Sequence, residues 1–88
     1  MQIIYRRSLA KDLKKIRSKK VRQEIAAVVE RLEQSTTLYD VPHVKRLSSD
    51  GPYYRIRIGE YRMGIVIEGD TISIVRLLHR REIYRYFP

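Results

Sequence analysis

Arg55, Arg57 and Arg62, then His79, Arg80, Arg81 and Tyr84, are the side chains best equipped for chemistry in this sequence, and all stand in its second half. Every Lys lies at or before Lys45, and after it the basic side chain used is Arg. A guanidinium grips a phosphate with two parallel bonds, whereas a lysine ammonium is a compact, well-hydrated point charge. The choice of Arg therefore points to recognition of phosphate. The closing segment His79-Arg80-Arg81-Glu82-Ile83-Tyr84-Arg85-Tyr86 adds Tyr and His to the arginines. That mixture suits RNA, with arginine for phosphate, aromatic rings for stacking, and His or Tyr for proton transfer.

Were such side chains to cut RNA without a metal, they would have to supply a base for the 2′-hydroxyl, cationic stabilisation of the charged transition state, and an acid for the departing 5′-oxygen. Arginine fits the middle role, because it does not give up its proton in proteins. Arg57, Arg62 and Arg81 are the electrostatic candidates, and Arg55, Lys45, Arg46 and Arg80 the RNA-binding ones. Tyr84 and His79 are the candidates for proton transfer. Each has a plainer reading: Tyr84 as a residue packing the tail against a sheet, His79 as an ordinary strand-end histidine. His43 reads as a solvated loop residue, Glu60 as a turn residue and Glu82 as a partner for an Arg. Lys11, Lys14, Lys15, Lys19 and Lys20 read as a solvated helix face, with contact to ribosomal RNA as the alternative.

Lys and Arg number 19 against 10 Asp and Glu, a net charge of +9, which suggests a polyanionic partner. A membrane surface would want a basic amphipathic helix with bulky apolar residues opposite, and the first helix here is too modestly apolar. Nucleic acid or an acidic protein remains. Cysteine is absent and His43 and His79 are far apart in sequence, which argues against disulfides and a structural metal site; no cofactor is expected. Met1 to Arg7 offers only Ile3, Ile4 and Tyr5 before the charges begin, too little for a signal-peptide core, so a cytoplasmic protein is expected.

The elements that must position these residues follow from periodicity. With 88 residues, 43% of them hydrophobic, the chain supports one core and reads as a single domain over 1–88. Gln2 to Tyr5 reads as a strand, followed by a helix with Ser8 as its N-cap and Leu9, Leu13 and Ile16 on one stripe. A second helix from about Lys19 to Gln34 aligns Val21, Ile25, Val28, Val29 and Leu32, with Ser18 as a candidate cap. From Ser35 to Pro52 the pattern lapses into a connection, with Pro42, Ser48, Ser49, Asp50, Gly51 and Pro52 as turn formers around a short Val44 to Leu47 segment. Alternation then marks strands at Tyr53 to Ile58, Tyr61 to Ile67 and Thr71 to about Leu78. Gly59-Glu60 and Gly69-Asp70 separate them as type II′ turns. The expected fold class is α+β: a short N-terminal strand, two helices, then an antiparallel three-strand meander with the helices packed on one face of the sheet.

With Gly59 and Glu60 in the turn, Ile58 pairs with Tyr61, Ile56 with Met63 and Tyr54 with Ile65, all facing the core. Tyr53, Arg55, Arg57, Arg62, Gly64 and Val66 then share the opposite face, with Arg57 directly across from Arg62. Like charges so placed cost some tenths of a kcal/mol, which a bound anion relieves. The bland alternative is a face kept soluble by its arginines. Ile72 and Ile74 fall on the core side, and Ser73, Val75 and Leu77 beneath the arginine face. Strict alternation aims Arg76 inward, which leaves open a bulge, an early strand end, or a residue escaping at the core edge.

The stretch Tyr54-Arg55-Ile56-Arg57-Ile58-Gly59-Glu60-Tyr61-Arg62, followed by His79-Arg80-Arg81-Glu82-Ile83-Tyr84, resembles the RelE/ParE toxin superfamily, and the likeness extends over nearly the whole chain. The resemblance implies the toxin of a type II toxin-antitoxin system. RelE-like members are ribosome-dependent endoribonucleases that cut mRNA in the A site and inhibit translation, and an acidic RelB-like antitoxin blocks them. ParE-like members inhibit DNA gyrase. The tail is similar to the RelE-like branch. By resemblance, Arg55 and Arg57 stand where that branch has two lysines, Arg62 and Arg81 match functional arginines, and Tyr84 matches its C-terminal tyrosine. Implied partners are the ribosome, mRNA and the antitoxin, with operator DNA bound by the antitoxin complex, and no membrane. A gyrase inhibitor, or a catalytically inactive homologue that acts as an antitoxin-bound partner, is the alternative.

Overall fold

The alternating second half forms the expected meander, with its first hairpin in the register the sequence sets. In a computed structural model that describes residues 1–47 and 51–88, β3 (Tyr53–Ile58), β4 (Tyr61–Glu68) and β5 (Thr71–His79) run antiparallel. Ile58 pairs with Tyr61, Arg57 with Arg62 and Ile56 with Met63. Gly59 and Gly69 have φ of 57° and 59°, while Glu60 and Asp70 do not have positive φ. A positive φ at the first central residue alone is the pattern of a type II′ turn, and glycine reaches it without a Cβ clash.

The meander grows at both edges into a five-stranded sheet. β1 (Gln2–Tyr5) pairs parallel with β5, and β2 (Val44–Arg46) pairs antiparallel with β3, giving the order β1-β5-β4-β3-β2. Within the Val44 to Leu47 segment, read as part of a connection, Val44–Arg46 is thus a strand. Three paired residues are too few for alternation to announce one. The turn formers Ser48, Ser49 and Asp50 lie outside the described residues.

Both helices lie on one face. α2 (Lys19–Gln34) has the expected bounds and its expected cap, the Ser18 hydroxyl oxygen accepting from the Val21 N–H at 3.2 Å. α1 (Arg7–Lys14) departs from expectation: Arg6 occupies the N-cap position, and Ser8 lies inside the helix. The reason is tertiary. β1 pairs with β5 only as far as Tyr5 opposite Ile74, so beyond that point the β5 edge needs other partners. Arg6 donates its N–H to the Ile74 carbonyl at 3.1 Å, the Ser8 hydroxyl donates to the Val75 carbonyl, and the buried Asp12 carboxylate accepts the Leu77 N–H at 2.9 Å. Helix α1 therefore closes a sheet edge, and the Ser8 hydroxyl that local reading assigned to capping serves that edge instead. Ile16 falls just past α1 yet is buried, and Arg22 donates to its carbonyl and to that of Leu13, which also accepts the Ile16 N–H.

Leu9, Ile16, Ile25 and Leu32 pack against Ile56, Ile58, Met63, Ile65, Ile72, Ile74 and Leu77 to form the main core between helices and sheet. Leu77 was expected beneath the arginine face. A bulge moves it: the register passes from Ile65 opposite Ile74 to Gly64 opposite Arg76, leaving Val75 as the extra residue. Leu77 then faces the core across from Met63, and Leu78 takes the arginine face across from Arg62. Of the three readings of Arg76, the bulge is the one observed. Its guanidinium stands at the β5 edge, donating to both Asp12 oxygens at 2.9 and 3.1 Å and lying 5.5 Å from the Tyr86 ring. Among the described residues no helix is long and apolar enough to cross a membrane.

Candidate nucleic-acid interface

The face opposite α1 and α2 is divided. At one end, the C-terminal turn of helix α3 (Ile83–Tyr86) brings Ile83 and Phe87 down onto Leu47, Tyr53, Val66, Val75 and Leu78. The Phe87 ring meets Tyr53 edge-on at 5.8 Å and lies over Gly64, where a Cβ would come within 2.7 Å of it. A glycine in mid-strand, and Ile83 and Phe87 four residues apart in the tail, were the sequence signals for this second core. They were missed because arginines and tyrosines surround them.

The other end carries the arginines. Strand pairing places Arg57 opposite Arg62 and Lys45 opposite Arg55, so cations from β2, β3 and β4 share one face. Arg62 is held over the β3–β4 turn, its Nη1 donating to the Gly59 and Tyr61 carbonyls at 2.8 and 2.9 Å. Burial lowers its proton affinity first, and Arg55, Arg57 and Arg80 add to that, while Tyr84 acts in the opposite direction. Arg62 thus sits where its own cation is disfavoured by three others, an environment that an anion improves. Tyr84 is near enough to be felt there and is 59% exposed, its ring open to an incoming ligand.

Arg55 donates from Nη1 to the His43 carbonyl at 3.0 Å, and its buried Nε has no partner among the described residues. Arg57 is exposed and places Nη2 3.1 Å from Nδ1 of His43. Arg81 is exposed, anchored by its backbone N–H to Nδ1 of His79 at 3.2 Å. Arg80 also neighbours the cluster, but its Nε lies 3.0 Å from the Glu60 carboxylate. Glu60 is therefore both turn residue and ion-pair partner.

Two candidates stand elsewhere. His79 pairs across the strands with Tyr61, so it shares the helix-covered side; its ring meets Tyr61 edge-on at 5.7 Å, and Nε2 lies 3.9 Å from Glu60. Arg46 pairs with Tyr54, a residue of the core side, stacks 6.0 Å from that ring and donates to the Gly51 carbonyl. Conversely, His43 is the exposed turn residue it was read as, but its carbonyl and ring also meet Arg55 and Arg57. No local pattern could have found it, since its place depends on β2 pairing with β3.

Arginines from β3 and β4 and a lysine from β2 thus share one open face, with the exposed Tyr84 near Arg62. A family described as the ParE toxin of type II toxin-antitoxin system, parDE, matches residues 3–84. "Toxin RelE3" of Methanocaldococcus jannaschii is 39% identical over 89 aligned residues, covering all of both chains. The chain belongs to the RelE/ParE toxin family. It is the toxin of a type II toxin-antitoxin system, and its fold is the family's. The toxin in a RelB-RelE antitoxin-toxin complex from Methanococcus jannaschii superposes with a TM-score of 0.82 at 38% identity, covering 97% of this chain and 99% of that one. An archaeal RelE-RelB complex from Pyrococcus horikoshii OT3 gives 0.73 at 21% identity, covering 93% and 97%, a likeness of fold.

Proposed function

We propose that this RelE/ParE toxin is a metal-independent, ribosome-dependent endoribonuclease, an mRNA interferase that cuts mRNA in the A site and stops translation. The observation that carries the reading is the direct pairing of Arg57 with Arg62, flanked by Arg55 and Tyr84, on the half of the sheet that α3 leaves open. Folding gains nothing from opposed guanidinium groups, and a phosphorane-like transition state gains from each. Arg57, Arg62 and Arg81 stabilise the developing negative charge, and Arg55, Lys45 and Arg80 hold the flanking phosphates. Tyr84 gives a proton to the departing 5′-oxygen. Arg46 and His79, both turned from this face, act at its margin: Arg46 on the RNA backbone, and His79 by fixing the Arg81 main chain.

The partner that restrains the toxin is an acidic antitoxin of the RelB kind, supported by the net charge of +9 and by the RelB-RelE complex of the 38% identical relative. The resulting complex binds operator DNA, and the site of action is the cytoplasm. Purified protein added to programmed ribosomes is expected to yield new mRNA ends within the A-site codon. Intact mRNA at stoichiometric toxin overturns the reading.

A second reading, gyrase inhibition, is favoured by the ParE description of the matching family. Induction in cells separates the two. Translation that stops while DNA stays intact supports cleavage, and DNA damage signalling with translation initially running supports gyrase inhibition. Harmless induction without antitoxin would mark a toxin that has lost catalysis.

A further inference from the structure

His43 is a chemically capable side chain among the arginines that the proposed mechanism leaves unused. It stands just before β2 with φ of 64°, in the left-handed region that few residues with a Cβ enter. Three contacts with β3 hold it there. Its carbonyl accepts the Arg57 N–H at 3.2 Å and Arg55 Nη1 at 3.0 Å, and its ring Nδ1 lies 3.1 Å from Arg57 Nη2. A guanidinium is a donor only, so Nδ1 is the accepting nitrogen, and the hydrogen of the neutral ring resides on Nε2. The lone pair able to take a proton is therefore covered by the guanidinium that phosphate would draw away.

We propose that His43 is the proton acceptor of the cleavage reaction, uncovered when an RNA phosphate engages Arg57. This rests on the ribonuclease reading. The O2′–H bond breaks and its proton passes to Nδ1, which makes the ring an imidazolium. The oxygen electron pair forms the new bond to phosphorus, and the P–O5′ bond breaks as O5′ takes the proton of the Tyr84 hydroxyl. The products are a 2′,3′-cyclic phosphate and a 5′-hydroxyl. His43 also lines one end of a cleft of about 420 Å³ that opens on the other side of β2, with Val41, Val44, Arg46 and Tyr54, so its ring stands at the sheet edge, open to solvent. The charged and titratable groups around the ring are Arg55 and Arg57 of β3, Lys45 on the same face of β2, and Tyr39 and Asp40 of the preceding 3-10 turn (Leu38–Asp40).

The test is single-turnover cleavage on programmed ribosomes by the full chain, comparing wild type with His43→Gln and His43→Asn over the neutral pH range. Both amides keep an acceptor oxygen for Arg57 without an ionisable group, and Asn tolerates the left-handed backbone should Gln disturb folding. Both variants are expected to bind ribosomes as wild type does and to lose about 10²–10⁴-fold in cleavage rate. The wild-type rate is expected to rise with pH, because only the neutral imidazole accepts a proton, and the variants to lack that rise. A folded variant that cuts at the wild-type rate with the wild-type pH profile overturns the role of His43 and leaves the ribonuclease reading standing. Loss of ribosome affinity with an intact chemical step also overturns it, making His43 a binding residue. Wild type that cuts nothing overturns both.

Discussion

The two faces of the sheet are made from the same strands and differ in what covers them. On one, α1 and α2 lie over Ile56, Ile65, Ile72 and Ile74, and those side chains are buried to within 1% of full exclusion. On the other, one turn of helix covers Gly64, Val66 and Leu78, and the remaining area is given to Arg55, Arg57 and Arg62. Alternation supplies both faces from each strand at once, so β3 donates Ile56 and Ile58 to stability and Arg55 and Arg57 to the site. A filled face fixes where the arginines stand, and an open one lets a ligand reach them.

The comparison breaks hardest at the filled face. Ile74→Ala, at a position with no exposure, is expected to cost about 2–5 kcal/mol in urea unfolding and to reduce activity only in proportion to the unfolded fraction. Arg62→Ala tests the converse. It should lower mRNA cleavage by about 10²–10³-fold with an unchanged unfolding midpoint. Arg81→Ala should do the same by a smaller factor. Full growth arrest on induction of either folded variant would remove these arginines from the mechanism.

Gly64→Ala sharpens the boundary between the covered and open halves. Its methyl group collides with the Phe87 ring, so a loss of about 1–3 kcal/mol is expected, and Phe87→Ala in the same chain should make the methyl group nearly neutral. Additive losses in the double variant would show that Phe87 does not rest on Gly64. Since α3 also carries Tyr84, Gly64→Ala should weaken cleavage as well, without touching an arginine.

The smallest expected effect lies at Tyr5, on the exposed edge of β1. Its hydroxyl donates to the Glu33 carboxylate of α2 at 2.9 Å, and burial first, then that bond and the Glu33 charge, raise its proton affinity above the ordinary value of 10.0. The unfolded chain therefore loses this proton at lower pH than the folded one does. The contribution of Tyr5 is present below pH 10.0 and is lost as pH rises through the folded value. Tyr5→Phe should flatten the decline in stability across that alkaline window. An identical slope in the variant would assign the decline to other groups.

Legibility in the sequence followed the range of the interaction. The β3–β4 register was readable because a glycine turn and two strands of alternation are local, and they alone set Arg57 against Arg62. The α2 cap was readable for the same reason, since Ser18 and Val21 are three residues apart. Ser8 was misread because its hydroxyl serves Val75, far along the chain, and the open β5 edge outweighs a local cap. Leu77 was misplaced because one bulged residue, Val75, exchanges the faces of everything after it. That same exchange turns His79 away from the arginines and toward Tyr61.

Patterning and composition thus determined by themselves the α+β class, both main helices, the meander and the row of arginines, because each depends on neighbours a few residues apart. Tertiary structure decided the rest: the parallel pairing of β1 with β5, the edge strand β2, the second core beneath α3, the separation of His79 and Arg46 from the cluster, and the entry of His43 into it. Those features rest on hydrogen bonds and contacts between segments distant in the chain, such as Arg57 with His43 and Gly64 with Phe87, whose geometry exists only once the sheet has closed.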